Sequence, residues 1–208
     1  MRANENLVGT NGFQVALFPC EAMYISEERD PNPEHSVYAL DFLPKNTAGN
    51  TIVGMKCYAP FSGQIKYTGA DHNCILESDN PLNTPSGVKY VRVLVAHSEI
   101  APTLYAHYNQ GQQFYITGDY GQSYGEHLHM EVALVDDPSV QYWNNGGVGL
   151  YNGVHMWEGL YVNDTVMLRD EGFNWLTYGG SNPTFRHGKK FPWVLYANKI
   201  RNRHNNTN

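Results

Sequence analysis

Helical periodicity is almost missing from this chain. Apolar residues do not recur at the three- and four-residue spacing of an amphipathic helix, which argues against a helical bundle. Charge is scarce too: Asp, Glu, Lys and Arg make up 16% of the 208 residues. That excludes a long helical protein with a charged surface, and the net charge of -6 argues against an overall electrostatic grip on nucleic acid. The three cysteines, Cys20, Cys57 and Cys74, are odd in number and form no C-x-x-C pair. Neither a disulfide framework nor a cysteine-based zinc site is expected. No apolar run approaches the roughly 20 residues of a membrane span. The opening MRANENLVGT lacks a basic start followed by an apolar core, so no signal peptide is expected. Such a chain works where it is made, or leaves by another route, as a virion component, a lysin released by a holin or an excised domain would.

What the chain does have is short alternating or apolar runs separated by turn residues. The runs are VYALDFL (37–43), IVGMKCYA (52–59), GQIKY (63–67), NCILES (73–78), KYVRVLVAH (89–97), TLYAHY (103–108), QQFYI (112–116) and HLHMEVAL (127–134). Between them lie PKNTAGN, APFSG, DNPLNTPSG, YNQG and TGDYGQSYG. This rhythm predicts a mainly β protein with an antiparallel sheet core and long loops. KYVRVLVAH is apolar on both faces apart from Arg92 and His97, and should be a central strand.

The character changes after about residue 137, and a soft boundary falls near residue 145. A core domain over 1–145 and an irregular extension over 146–208 are expected. Residues 172–208 hold six basic residues and no acidic one, which leaves 8 basic and 20 acidic residues in the rest. The tail is either a solvated segment or a contact for an anionic polymer.

One stretch carries the chemistry. In SYGEHLHMEV (123–132), side chains two apart share a strand face. His127, His129 and Glu131 lie on one face, and Leu128, Met130 and Val132 on the other. One face looks like core and the other like a site. Two more segments add candidates: EHSVYALDF, with His35 and Asp41, and LVAHSE, with His97 ending the buried strand. Two imidazoles and a carboxylate form a standard catalytic zinc set with a fourth position open for water. Two further histidines could then handle protons and transition-state charge.

Over roughly residues 33–134 this arrangement resembles the LytM/lysostaphin-like zinc metallopeptidases, peptidase family M23. HLHMEV is similar to that family's H-L-H-F-E strand, and APFSGQIKY to its A-P-x-x-G-x-V segment. GQQFYITGDYGQSYGEHLH resembles the run G-Q-x-I-x-x-x-G-x-T-G-x-S-x-G-x-H-L-H. The resemblance implies a LytM/lysostaphin-like sheet with a groove between loops. It implies one zinc ion per chain on His35, Asp41 and His129, with His97 and His127 as catalytic non-ligands. His107, in LYAHY, competes with His97 for the Tyr-x-His position. Spacing favours His97, which stands thirty positions before His127 as is usual in the family, whereas His107 stands twenty before it.

One departure stands out. The family's first motif is H-x-x-x-D, and here His35 and Asp41 are six positions apart. Six extended residues span about 20 Å, too far to share a metal, so the chain must loop out before the Asp41 strand begins. Glu131 is either a carboxylate that orients an imidazole or a plain surface glutamate. Tyr120 and Tyr124 either wall a narrow substrate groove or are ordinary loop aromatics. His72, His155, His187 and His204 are read as ordinary partly buried polar residues.

By this resemblance the protein hydrolyses peptide bonds in the stem or cross-bridge of bacterial peptidoglycan, outside the cell or as part of a virion. The other class of function is a catalytically inactive wall-binding or virion structural domain. Degenerate relatives of that kind commonly lose ligand residues, whereas all five positions are filled here. Other H-x-H zinc folds fit less well, since HLHMEV lacks the H-x-H-x-D-H of the metallo-β-lactamase type.

Overall fold

A computed structural model describes residues 1, 3–20, 22–27, 36, 38–44, 50–123, 125–147, 149–161, 167–169 and 175–177. Among these the chain is built almost entirely of strands. They are β1 (Ala22–Glu27), β2 (Leu40–Leu43), β3 (Lys56–Tyr58), β4 (Gly63–Thr68), β5 (Cys74–Ser78), β6 (Leu82–Thr84) and β7 (Gly87–Ala96). There follow β8 (His107–Tyr108), β9 (Gln113–Ile116), β10 (Leu128–Val135), β11 (Gly153–Val154), β12 (Met167–Arg169) and β13 (Trp175–Thr177). A single helical turn, α1, spans Met156–Gly159.

The main sheet runs β13-β12-β1-β2-β10-β7-β5-β4-β8, with β11 on β10 and β6 on β7. β3 and β9 form a separate antiparallel pair. Every pairing is antiparallel except β1 with β12. The alternation read from the sequence is realised as strands, and β7 sits in the middle of the sheet as its two-sided apolarity requires.

Alternation also divides the chemistry. Phe42 on β2, Leu76 on β5, Val91, Val93 and Val95 on β7, and Leu128, Met130 and Val132 on β10 enter the main core. The opposite face carries a smaller cluster of Ile75, Leu94, Ala133 and Leu150, flanked by Tyr67, Tyr142 and Trp143. Asp41, His129 and Glu131 share this second face. Leu17, Met156, Leu160 and Tyr161 are buried in the main core, so the stretch up to residue 161 packs with the strands that precede residue 145.

Arg92 is fully buried on the second face. Its Nε donates to Glu77 Oε2 at 2.8 Å. Its Nη1 and Nη2 donate to the carbonyls of Gln141, Pro138 and Val140 at 2.7, 2.8 and 2.9 Å. Its guanidinium carbon lies 4.3 Å from the centre of the Tyr142 ring. A buried cation survives only when paired and hydrogen-bonded, and this one thereby pins the 137–142 loop to the sheet.

The three cysteines are buried free thiols. Cys20 Sγ lies 3.3 Å from Cys57 Sγ. No helix among the described residues is long and apolar enough to cross a membrane.

Candidate active site

Register builds the site. Across β2 and β10, His129 stands directly opposite Asp41, and across β10 and β7 it stands opposite Ala96. Directly opposed residues in a sheet project to the same face. His129 Nδ1 is therefore 3.1 Å from Asp41 Oδ1. Two residues on, buried Glu131 places Oε1 3.5 Å from His129 Nε2, while its Oε2 accepts the Leu150 N–H at 3.0 Å. Burial disfavours a charged His129 ring, but the hydrogen bonds and charges of the Asp41 and Glu131 carboxylates outweigh it and push the pKa up to about 9.

His97 follows the last residue of β7. In a continuing strand its side chain would fall on the Val95 face, in the core. Instead its φ is +75°, a left-handed conformation uncommon for a non-glycine residue. The strand ends, and the ring comes to rest with its centre 4.6 Å from that of His127 and 6.1 Å from that of His129. Nδ1 lies 3.0 Å from the Tyr120 carbonyl, which can only accept, so Nδ1 carries the proton and the neutral ring keeps its lone pair on Nε2. Burial pushes the His97 pKa down; the Tyr120 hydrogen bond opposes this and the neighbouring imidazoles add to it.

His127 is held in the same tautomer. Its Nδ1 is 2.7 Å from the Gly125 carbonyl and 3.2 Å from Ser123 Oγ. Its backbone N–H donates to Gly118 O at 3.1 Å. Gly118 is required by crowding, since a Cβ there would sit 2.5 Å from the Glu99 nitrogen and 2.6 Å from the His97 oxygen. Glu126 braces the same turn: its Oε1 accepts from the Gly54 N–H at 2.8 Å and from the Thr117 hydroxyl.

The structure thus gathers Asp41, His97, His127, His129 and Glu131 on one end of the sheet. His35 and Tyr124 lie outside the described residues, as does the basic tail from residue 178 onward. The chain does turn just before β2, where the Ala39 N–H donates to Ser36 O at 3.0 Å. His107 is not brought to this cluster. It sits on β8 at the sheet edge, where Nε2 is 2.7 Å from Asp79 Oδ2. Tyr120 is exposed on the loop that holds His97.

Sequence reasoning missed His72. Its φ is +49°, and its ring stacks on Tyr120 with centroids 3.5 Å apart and planes 3° from parallel. Its order in the chain gives no hint of this. Ser123 and Glu126 were visible only as part of the glycine-rich run.

Asp41 and His129 fit a metal ion. With its pKa raised, the His129 ring carries both protons at neutral pH, Nε2–H facing Glu131 and Nδ1–H donating to Asp41 Oδ1 at 3.1 Å. A metal ion held by this pair would take the place of the Nδ1 proton between the same two atoms. Zinc bonds of about 2.0–2.1 Å at the tetrahedral angle set two donors roughly 3.3–3.4 Å apart. Among the described residues no set of three or more His, Cys, Asp or Glu side chains is arranged to hold a metal.

Comparison with known proteins gives structural neighbours alone. No family model and no curated protein matches the chain. It is similar to the solved catalytic domain of the antimicrobial peptidase lysostaphin from Staphylococcus simulans, at 19% identity over 62% of this chain and 85% of that one, with a TM-score of 0.37. It is similar to the catalytic domain of the prophage-encoded M23 protein EnpA from Enterococcus faecalis, at 14% identity over 64% of this chain and 88% of that one, with a TM-score of 0.40. A third structure, a zinc-containing peptidase from Vibrio cholerae, is 16% identical over 62% of this chain but only 43% of its own length, with a TM-score of 0.39.

Proposed function

We propose that the chain is a zinc-dependent endopeptidase that cuts the peptide part of bacterial peptidoglycan. One observation carries the reading: an Asp41–His129 donor pair 3.1 Å apart, with two imidazoles beside it whose ring centres are 4.6 Å from each other. The motif order that resembles the M23 peptidases supplies the substrate class.

Asp41 and His129 would hold the ion, with His35 as the third protein ligand. When bound, zinc supplies Lewis acidity and brings the pKa of water toward neutrality. The chain's own groups do the rest. Glu131 accepts from His129 Nε2–H and so orients the ring with Nδ1 toward Asp41, as the atom that would hold the ion. The Nε2 lone pair of His97 or His127 accepts the proton of the attacking water and returns it to the departing amine. The other ring, having taken a proton from solvent on Nε2, would donate to the oxygen on which charge develops. Burial keeps His97 neutral at physiological pH, as a base requires.

The same reading places the protein outside the producing cell or on a virion, with the peptidase function in residues 1–145 and the basic tail of the 146–208 extension against an anionic wall polymer. Tyr120, and Tyr124 beside it in sequence, would border the substrate groove. The test is digestion of purified peptidoglycan by the wild type and by His129→Ala, with and without a chelator, followed by mass spectrometry of the fragments. Metal-dependent peptide cleavage that vanishes in the variant is expected, and the fragments identify the bond. A wild type that binds the wall and cuts nothing would overturn the reading in favour of an inactive wall-binding or structural domain.

A further inference from the structure

The face of Tyr120 is covered by a residue that no motif contains. In the glycine-rich run the M23-like pattern has Thr where this chain has Tyr120. Its ring lies flat on His72, 3.5 Å between centroids and 3° between planes. His72 is itself anchored twice. Its Nδ1 donates to the Ser98 carbonyl at 2.7 Å, and its own carbonyl accepts the Tyr115 hydroxyl at 2.8 Å. Tyr115 is buried, and its hydroxyl also accepts the Ser98 N–H at 2.9 Å. The stack therefore rests on the core.

Tyr120 meets His97 twice through its backbone. Its N–H donates to His97 O at 3.1 Å, and its carbonyl accepts from His97 Nδ1 at 3.0 Å. The second bond decides which ring nitrogen is bare. The loop that supplies it is exposed and glycine-flanked, with Gly118 and Gly121 on either side, and Gly121 has φ +84°. Left alone, such a loop would sample many positions. The residue next to His72 contributes as well, since the His97 N–H donates to the Asp71 carbonyl at 3.0 Å. One short segment thus fixes His97 from its own backbone and, through the stack, from its ring.

We infer that Tyr120 is a positioning residue for His97, and that stacking on His72 holds the Tyr120 carbonyl where it fixes the His97 ring in the Nδ1–H tautomer. The inference rests on the peptidase reading for its effect on rate, but not for its structural content. The phenol hydroxyl takes no part in the stack, so Tyr120→Phe should keep the single tautomer. Tyr120→Ala removes the stack from one side. His72→Asn removes it from the other and suits the left-handed backbone, which asparagine tolerates.

The experiment records long-range proton–nitrogen NMR spectra of the full chain loaded with zinc, the His97 signals being assigned by their loss in His97→Gln. Hydrolysis of a peptidoglycan fragment is measured alongside. Wild type and Tyr120→Phe should show one tautomer, protonated on Nδ1. Tyr120→Ala and His72→Asn should show mixed tautomers with kcat lowered roughly 10–100-fold, and in His72→Asn KM should be unchanged. Amide spectra elsewhere should stay the same, which separates positioning from unfolding. Retention of the single tautomer in both stack-breaking variants would overturn the inference, and so would its loss in Tyr120→Phe. If the wild type hydrolyses nothing, the peptidase reading fails, while the tautomer spectra still decide the role of the stack.

Discussion

Replacing Glu131 by glutamine is the sharpest probe of the metal site, because it changes one oxygen and almost no volume. Glu131 is 3% exposed and has two acceptor oxygens in use, Oε2 for the Leu150 N–H and Oε1 facing His129 Nε2. Glutamine offers a single acceptor. The buried Leu150 N–H claims it, since an orphaned buried donor costs about 1–3 kcal/mol. The amide nitrogen then faces His129 Nε2, donor toward donor. Relief comes when Nε2 gives up its proton and Nδ1 takes one, at the very atom that faces Asp41. Zinc must then compete with that proton. Loss of such an orienting partner typically costs 10–100-fold in metal affinity, or about 1.4–2.7 kcal/mol. Competition against a coloured chelator measures the zinc dissociation constant, and urea denaturation of the metal-free protein checks the fold. Weakened zinc binding by a variant that still unfolds cooperatively is expected, with the urea midpoint lowered by the loss of the buried Glu131 charge beside His129. Wild-type zinc affinity in Glu131→Gln would refute both the orienting role and the assignment of Nδ1 as the donor.

Other expectations follow from the same geometry. His97→Ala should lower kcat by roughly 10²–10⁴-fold, as for loss of a general base, while His107→Ala should leave it unchanged; the two variants assayed side by side decide between these histidines. Gly118→Ala should push the new methyl onto the Glu99 nitrogen and the His97 oxygen, at 2.5 and 2.6 Å. Such overpacking costs about 1–3 kcal/mol in a denaturation curve, and here activity should fall further than stability. Glu77→Gln leaves the fully buried Arg92 guanidinium without its counter-charge and should cost about 3–5 kcal/mol, read from the urea midpoint at constant slope. A Glu77→Leu/Arg92→Met pair should recover much of that loss.

How much of this was legible in the sequence differs from residue to residue. Two-residue alternation in HLHMEVAL and the double-sided apolarity of KYVRVLVAH announced β10 and β7, because a strand's face pattern is local. The sharing of one face by His129 and Glu131 was legible for the same reason. Their meeting with Asp41 was legible only through the resemblance of the motif order, since it depends on a register between strands 88 positions apart in the chain. TLYAHY read as a strand, yet only His107–Tyr108 pair, because Tyr105 adopts φ +64° and breaks the extension. Arg92 showed only as an interruption in an apolar run; the Glu77 carboxylate and three loop carbonyls that make it tolerable come from elsewhere in the fold. His72 was passed over because stacking leaves no trace in spacing.

The division of β10 into a core face and a site face has a consequence for how this chain can vary over time. Adding or deleting one residue within the strand would send His129 into the core and Met130 onto the site face, breaking the Asp41–His129 pairing and the packing in a single step. Length changes can therefore accumulate in the surrounding loops, while the segment from His127 to Val132 must keep its count. A lineage built on this chain should vary by loop insertion, with the central strand carried along unaltered in length.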